Sequence, residues 1–177
     1  TNTMLEQDGA KTGLLTTDGF RDILAIGREN RQKLYDYSPD KNPSFVERKN
    51  RLGIPQRMSA EGEVLEPLDE TAVEALADEL VEDDIESIAV SLLNAYRNSE
   101  HESRVLELVE ERVDVPVSLS SSVMPEIKEY ERTLSTVINA YVSPDTQAYV
   151  GKLQNGLSEL GIDNTLNLMQ ANGGVIT

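Results

Sequence analysis

The stretch SIAVSLL, Ser87 to Leu93, does most to limit what this chain can fold into. It is a nearly continuous apolar run of strand length, the pattern of a strand buried on both faces. Burial on both faces calls for helices above and below a sheet, and the flanking sequence supplies them. KTGLLTT, Lys11 to Thr17, reads as a second short buried strand that ends in a threonine pair. VPVSLS, Val115 to Ser120, reads as a third, and TLNLMQ, Thr165 to Gln170, as the last. Between them run helical periodicities. In FRDILAIGREN the residues Phe20, Ile23, Leu24 and Gly27 fall on one face, with Thr17 or Asp18 placed to cap. Asp69 caps ETAVEALADELVED, whose Val73, Leu76, Ala77 and Leu80 share a face. Ser99 and Glu102 form a capping box ahead of ESRVLELVEERV. Pro125 opens a long helical pattern through Tyr141, Pro144 restarts it as far as Leu160, and Gly161 supplies a stop. Strands alternating with helices predict an α/β fold, a mostly parallel sheet with flanking helices.

Residues 30 to 67 break the alternation. Pro39, Pro43, Pro55 and Pro67 punctuate a stretch too long for an ordinary connection, so it is either functional or holds short strands of its own. GIPQRMSAEGEVLEPL reads as such a strand pair, with Glu61-Gly62 at its turn.

Charge narrows the partners. The 177 residues carry 16 basic and 32 acidic side chains, a net charge of −16, and only six of the basic residues are lysines. Such a surface repels nucleic acid and anionic lipid. It is also the surface of a salt-adapted, halophilic cytosolic protein, and a cytoplasmic location is the expectation. From Glu61 to Glu86 there are twelve carboxylates and no Lys or Arg, the mark of a solvated helix face and its flanks. No apolar run approaches the roughly 18 residues of a membrane span. The opening TNTMLEQDGAKT has no apolar signal core. Without cysteine there are no disulfides and no thiolate chemistry, and a His/Cys zinc site is excluded. The chain starts without Met and stops just after a glycine pair, which suggests a segment of a longer polypeptide.

Few residues carry obvious chemistry. His101, the one histidine, sits between Glu100 and Glu102 in the first turn of a predicted helix and is expected to face solvent. Neither a P-loop nor a dinucleotide-binding glycine motif occurs. Carboxylate pairs such as Glu126/Glu129 are expected by chance among so many acids. Glu131-Arg132 stands out on an otherwise uncharged helix, either as a partly buried ion pair lining an active-site wall or as a structural tie. Arg28, Arg31 and Tyr35 follow the first helix, where α/β folds bind ligands. The two arginines serve either to grip a carboxylate or phosphate or to pair with acidic neighbours. At the end, Asn172-Gly173-Gly174 reads as a tight turn, or as a backbone that a ligand can approach closely.

Taken in order, these stretches resemble the N-terminal region of the hydantoinase A/5-oxoprolinase family, which includes subunits of acetone and acetophenone carboxylases. The resemblance rests on Thr1-Asn2, GAKTGLLTTDGFRDILAIGRENRQKLYD, IPQRMSAEGEVLEPLDE, SIAVSLLNAYRNSEHE, SSSVMPEIKEYERTLSTVINAYVSP and LMQANGG. It implies a segment of an actin-like (ribonuclease H-like) ATPase fold, with residues 161 to 177 beginning the following ATPase-type domain. It further implies ATP-dependent opening of a small-molecule cyclic amide, or carboxylation of a ketone, with ATP and Mg²⁺ serving the full-length protein and a B-type subunit or domain as partner. Asn2, Arg28, Arg31 and the Asn172-Gly173-Gly174 loop would lie near substrate or nucleotide, with Glu131 and Arg132 orienting. The family's glycine-rich phosphate loops should lie upstream of Thr1 and downstream of the glycine pair, so neither ATP nor metal is expected to bind this segment tightly. Ala171 stands where the family usually has serine. A non-catalytic assembly module, docking a partner through residues 30 to 67, is the reading from another class.

Overall fold

The computed structural model describes residues 2–28, 44–162, 166–169 and 174–176. They divide into a unit ending at Pro144 and a smaller one from Asp145 onward.

The first unit is built on a four-stranded sheet. Strand β1 (Thr12–Thr17) pairs in parallel with β2 (Arg51–Ile54) on one side and β5 (Ser87–Ser91) on the other. Beyond β5, strand β6 (Val117–Leu119) is parallel again, giving the order β2-β1-β5-β6. The alternation of side chains gives each face its own character. Leu15, Leu52, Ile54, Ile88 and Val90 point to one face, where helices α3 (Glu70–Glu82) and α4 (Glu100–Glu110) cover them with Val73, Ala77, Leu80, Val105, Leu108 and Val109. Leu14 and Ala89 point to the other, against Val137 and Ala140 of helix α6 (Glu129–Glu159). Ser87 to Ser91 is fully buried, as a strand covered on both faces must be.

The stretch expected to be an irregular insert contributes β2, an edge strand of the main sheet. It also contributes the antiparallel hairpin of β3 (Arg57–Met58) and β4 (Val64–Glu66). Gly62 turns this hairpin at φ +91°. Asn94 and Asn98 fasten it, donating to the Met58 carbonyl at 2.9 Å and the Gly62 carbonyl at 3.1 Å.

Helix boundaries follow the sequence in part. Asp69 caps α3, accepting from the Ala72 N–H at 3.0 Å. The first predicted helix shrinks to one turn, α2 (Ile23–Ile26), after a separate short helix α1 (Asn2–Glu6). Neither proposed cap serves α2. Asp18 accepts from the adjacent Gly19 N–H, and Thr17 faces inward to other partners. Pro125 does not open the long helix: α6 starts at Glu129, after the short helix α5 (Ser120–Val123). Pro144 lies inside α6 rather than restarting it. Proline lacks an N–H, which leaves a helical carbonyl without its donor. That carbonyl is Ala140's; the next one, Tyr141's, accepts a bond from outside the helix, from the Ala10 N–H at 3.0 Å. The tyrosine ring lies so close to Gly9 that a Cβ there would sit 2.2 Å from it.

In the second unit, β7 (Leu168–Met169) pairs antiparallel with β8 (Val175–Ile176). The last apolar residues therefore form a returning strand.

Candidate functional site

The strand order sets the place where a ligand would bind. From β1 the chain goes to β2 on one side, and it later enters β5 on the other. Connections leaving adjacent parallel strands in opposite directions open a crevice outside their carboxyl ends, the usual ligand position in open α/β sheets. Here a shallow cleft lies at that point, lined by Thr16, Phe20, Ser91, Glu129, Arg132 and Thr133.

Behind the cleft, buried polar side chains fix the end of β5. Thr17 Oγ1 accepts from the Leu93 N–H at 2.9 Å and from Gln56 Nε2. The other end of that amide, Gln56 Oε1, lies 2.9 Å from His101 Nδ1, so a neutral ring protonated at Nδ1 donates to it. Glu102 is fully buried and accepts from the Leu92 N–H at 2.9 Å, the Ser120 hydroxyl at 2.6 Å and the Ser121 N–H at 2.9 Å. Three donors make burial of a carboxylate tolerable.

These contacts correct two expectations. Ser99 and Glu102 do not form a capping box, because Ser99 makes no side-chain cap and Glu102 turns to the interior. His101 is buried, not solvent-facing, and burial pushes its pKa below the ordinary value despite an opposing contribution from Glu100. Both fit the spacing of α4: counted back from buried Val105, they sit at i−4 and i−3, on its inward face.

Arg132 is the unusual member. It is 1% exposed, yet it forms no ion pair with a carboxylate among the described residues. Its Nη1 donates to the Glu126 carbonyl at 2.8 Å and its Nη2 to the Leu92 carbonyl at 3.1 Å, while the guanidinium lies 5.4 Å from the Tyr96 ring centroid. Burial lowers its pKa, opposed by the charges of Glu129 and Glu102. Nε is buried with no hydrogen-bond partner.

The neighbouring Glu131 does not pair with it. Glu131 pairs with Arg28 instead, across more than a hundred residues of sequence. Its carboxyl is held below the usual range, first by its own backbone N–H and then by Arg28. Arg28 is thus engaged with an acidic partner, and Arg132 with backbone carbonyls. Asn2 lies in α1 and Gly174 immediately precedes β8. Arg31, Asn172 and Gly173 lie outside the described residues. The structure thus brings Arg28, Glu131 and Arg132 together around the start of α6. Gln56, His101, Glu102 and Ser120 join the site without having been singled out as its members. Among the described residues no group of three or more His, Cys, Asp or Glu converges as metal ligands would. No described helix is long and apolar enough to cross a membrane.

Known proteins share this architecture. Residues 1–113 match the family description "Hydantoinase/oxoprolinase N-terminal region", and residues 132–177 match "Hydantoinase/oxoprolinase". The alpha subunit of caprolactamase from Pseudomonas jessenii is 35% identical over 98% of this chain and 25% of its own length. The crystal structure of that ATP-dependent caprolactamase superposes with a TM-score of 0.88, covering 98% of this chain and 26% of the solved one. A nucleotide-free acetone carboxylase structure superposes at 0.85, with 29% identity over 99% of this chain and 26% of that one. The 5-oxoprolinase of Saccharomyces cerevisiae is 30% identical over 99% of this chain and 16% of its own length. The chain spans about a quarter or less of these relatives, and over that span it has the α/β fold of their ATPase-type enzymes. With one family description covering most of its length and a second covering its end, the chain belongs to the hydantoinase/oxoprolinase family.

Proposed function

We propose that this chain is a segment of an ATP-dependent hydrolase that opens a cyclic amide of the hydantoin, 5-oxoproline or lactam type. The observation that carries this reading is the likeness of 98% of this chain to about a quarter of ATP-dependent caprolactamase, in sequence and in fold. Ring opening breaks the amide C–N bond, with water supplying hydroxyl to the carbonyl carbon and a proton to the nitrogen. ATP and Mg²⁺ belong to the full-length protein. The segment has neither glycine-rich phosphate loop, so the phosphate contacts of the nucleotide fall to residues outside it. Its part is to build the crevice at the ends of β1 and β5, near which Arg28, Glu131 and Arg132 lie. Asn2, Arg31 and the Asn172-Gly173-Gly174 loop are proposed as further residues near substrate or nucleotide. Residues 161 to 177 begin the following ATPase-type domain, a B-type subunit completes the enzyme, and the whole works in a salt-rich cytoplasm.

ATP hydrolysis by the full-length protein with its partner subunit tests this reading. Caprolactam, a hydantoin, 5-oxoproline and a ketone with bicarbonate are added in turn. Stimulation by one of the cyclic amides, with the ring-opened product, is the expected result. Stimulation by the ketone alone would move the assignment to the carboxylase subunits, which the acetone carboxylase likeness favours as second reading. No stimulation by any of them, with folded protein, would leave an assembly module.

A further inference from the structure

We propose that a groove at the end of the sheet opposite the crevice docks the partner subunit. It takes a bulky apolar side chain that stands next to a lysine or arginine of that subunit. The inference rests on the part of the functional reading that gives this chain a B-type partner, and it assigns that partner a seat.

The groove follows from how α3 and α4 end. Helix α3 stops at Glu82 and α4 at Glu110, and the chain returns from each to the start of a strand, β5 or β6. Asp84 turns the first return at φ +53°. Between the two returns lies an open groove of about 270 Å³. Leu80, Ile85 and Ile88 line it from the apolar core, and Val81, Val113 and Val115 extend the apolar surface outward. Val81 leaves 50% of its surface to solvent. The space has room for several waters, or for one leucine or phenylalanine side chain.

The charge around the groove says what accompanies that side chain. A helix C-terminus carries a partial negative charge, which lysine or arginine in the last turn usually offsets. Neither α3 nor α4 has a basic residue in its last turn, and both have glutamates there. The cations beside these ends are already engaged: Lys49 with Asp83 at 3.0 Å, and Arg112 with Glu74 at 2.8 Å and Asp78 at 3.2 Å. Asp84 and Asp114, which also line the groove, enter no ion pair among the described residues. An apolar groove flanked by two unpaired carboxylates and two helix C-termini calls for an apolar group accompanied by positive charge. Such an anchor, seated in a pocket with charge at its rim, is the usual centre of a protein interface. A second copy of this chain, at net charge −16, would bring repulsion instead.

The test measures the Kd of the full-length protein for its B-type subunit by calorimetry, with thermal melting and sedimentation of the free protein alongside. Val81→Glu places a carboxylate in the groove and should weaken binding about tenfold or more. Asp84→Asn combined with Asp114→Asn should weaken it about fivefold at low salt. Asparagine tolerates the positive φ at position 84, so the turn is kept. The effect of the double variant should fade as potassium chloride is raised, whereas that of Val81→Glu should persist. Wild-type affinity in Val81→Glu or in the double variant would overturn the docking site. So would a Val81→Glu protein changed only in its own melting temperature, because the rest of its own chain would then fill the groove. A change confined to self-association would give the groove to a second copy and overturn it equally. A wild-type protein that binds no B-type subunit would bring down the partner reading and the docking site with it.

Discussion

The two faces of the sheet are built on different principles. Toward α3 and α4 it presents Leu15, Leu52, Ile54, Ile88 and Val90, an apolar layer closed by apolar helix faces. Toward α6 it presents Thr12, Thr16, Ser87, Ser91 and Ser118 around Leu14 and Ala89. Those hydroxyls are matched: Thr12 with Ser87 at 3.0 Å, Ser91 with Thr133 at 2.8 Å, Ser118 accepting from Asn139 at 2.9 Å. This second face lines the crevice beside Arg132, while the polar cluster of Thr17, Gln56, His101 and Glu102 backs it from the α4 side. The first face holds the fold together, and the second holds α6 at a defined position over the strand ends.

Four substitutions or titrations put that contrast at risk. The largest effect belongs to the apolar face: Leu15→Ala should cost about 2–5 kcal/mol in urea unfolding, because its neighbours are close-packed and cannot collapse into the gap. A loss under about 1 kcal/mol would show that this face is not the stabilising one. Next, Gly9→Ala should cost about 1–3 kcal/mol by pressing a methyl group into the Tyr141 ring. It should also disturb the 2.8 Å bond from the Gly9 N–H to the tyrosine hydroxyl. Tyr141→Ala should relieve most of the steric part.

Third, Ser91→Ala should cost about 1 kcal/mol in the same assay by leaving Thr133 unpaired, whereas Ser91→Ala with Thr133→Val should be nearly neutral. A large loss in the double variant would mean that the polar face stabilises as much as the apolar one. The smallest effect is a pH dependence. His101 in the folded protein has a pKa below its ordinary 6.5, so the unfolded chain binds the proton first as pH falls. Stability from the neutral ring is fully present above about pH 6.5 and is lost as pH falls through the folded pKa. His101→Gln should flatten that slope in unfolding measured from pH 7.5 to 5.

Much of the first face was legible in the sequence. The spacing of Val73, Leu76, Ala77 and Leu80 marked the inward side of α3, and Asp69 its start. The run from Ser87 marked a strand buried twice over. The second face was harder to see, since serine and threonine alternating with leucine and alanine do not announce burial. For the charged residues the local patterns misled. Ser99-x-x-Glu102 has the form of a capping box, yet helix periodicity placed Glu102 beside His101 on the side of Val105. Glu131-Arg132 looked like one pair, but adjacent helix positions point about 100° apart and cannot share a partner easily. One faces Arg28, and the other faces the interior.

The sequence by itself determined the succession of β1, α3, β5, α4 and β6, their parallel pairing, the inward side of α3 and the family. Each follows from local periodicity or from motifs that lie within one stretch of chain. Only the tertiary structure decided which polar groups are buried and what they hold. A carboxylate such as Glu102 can lose its water only where the donors of Leu92, Ser120 and Ser121 converge on it. Arg132 likewise reaches the interior only because carbonyls from β5's end and from Glu126 meet it there. Such convergence brings together residues distant in sequence, and no single stretch of the chain carries a record of it.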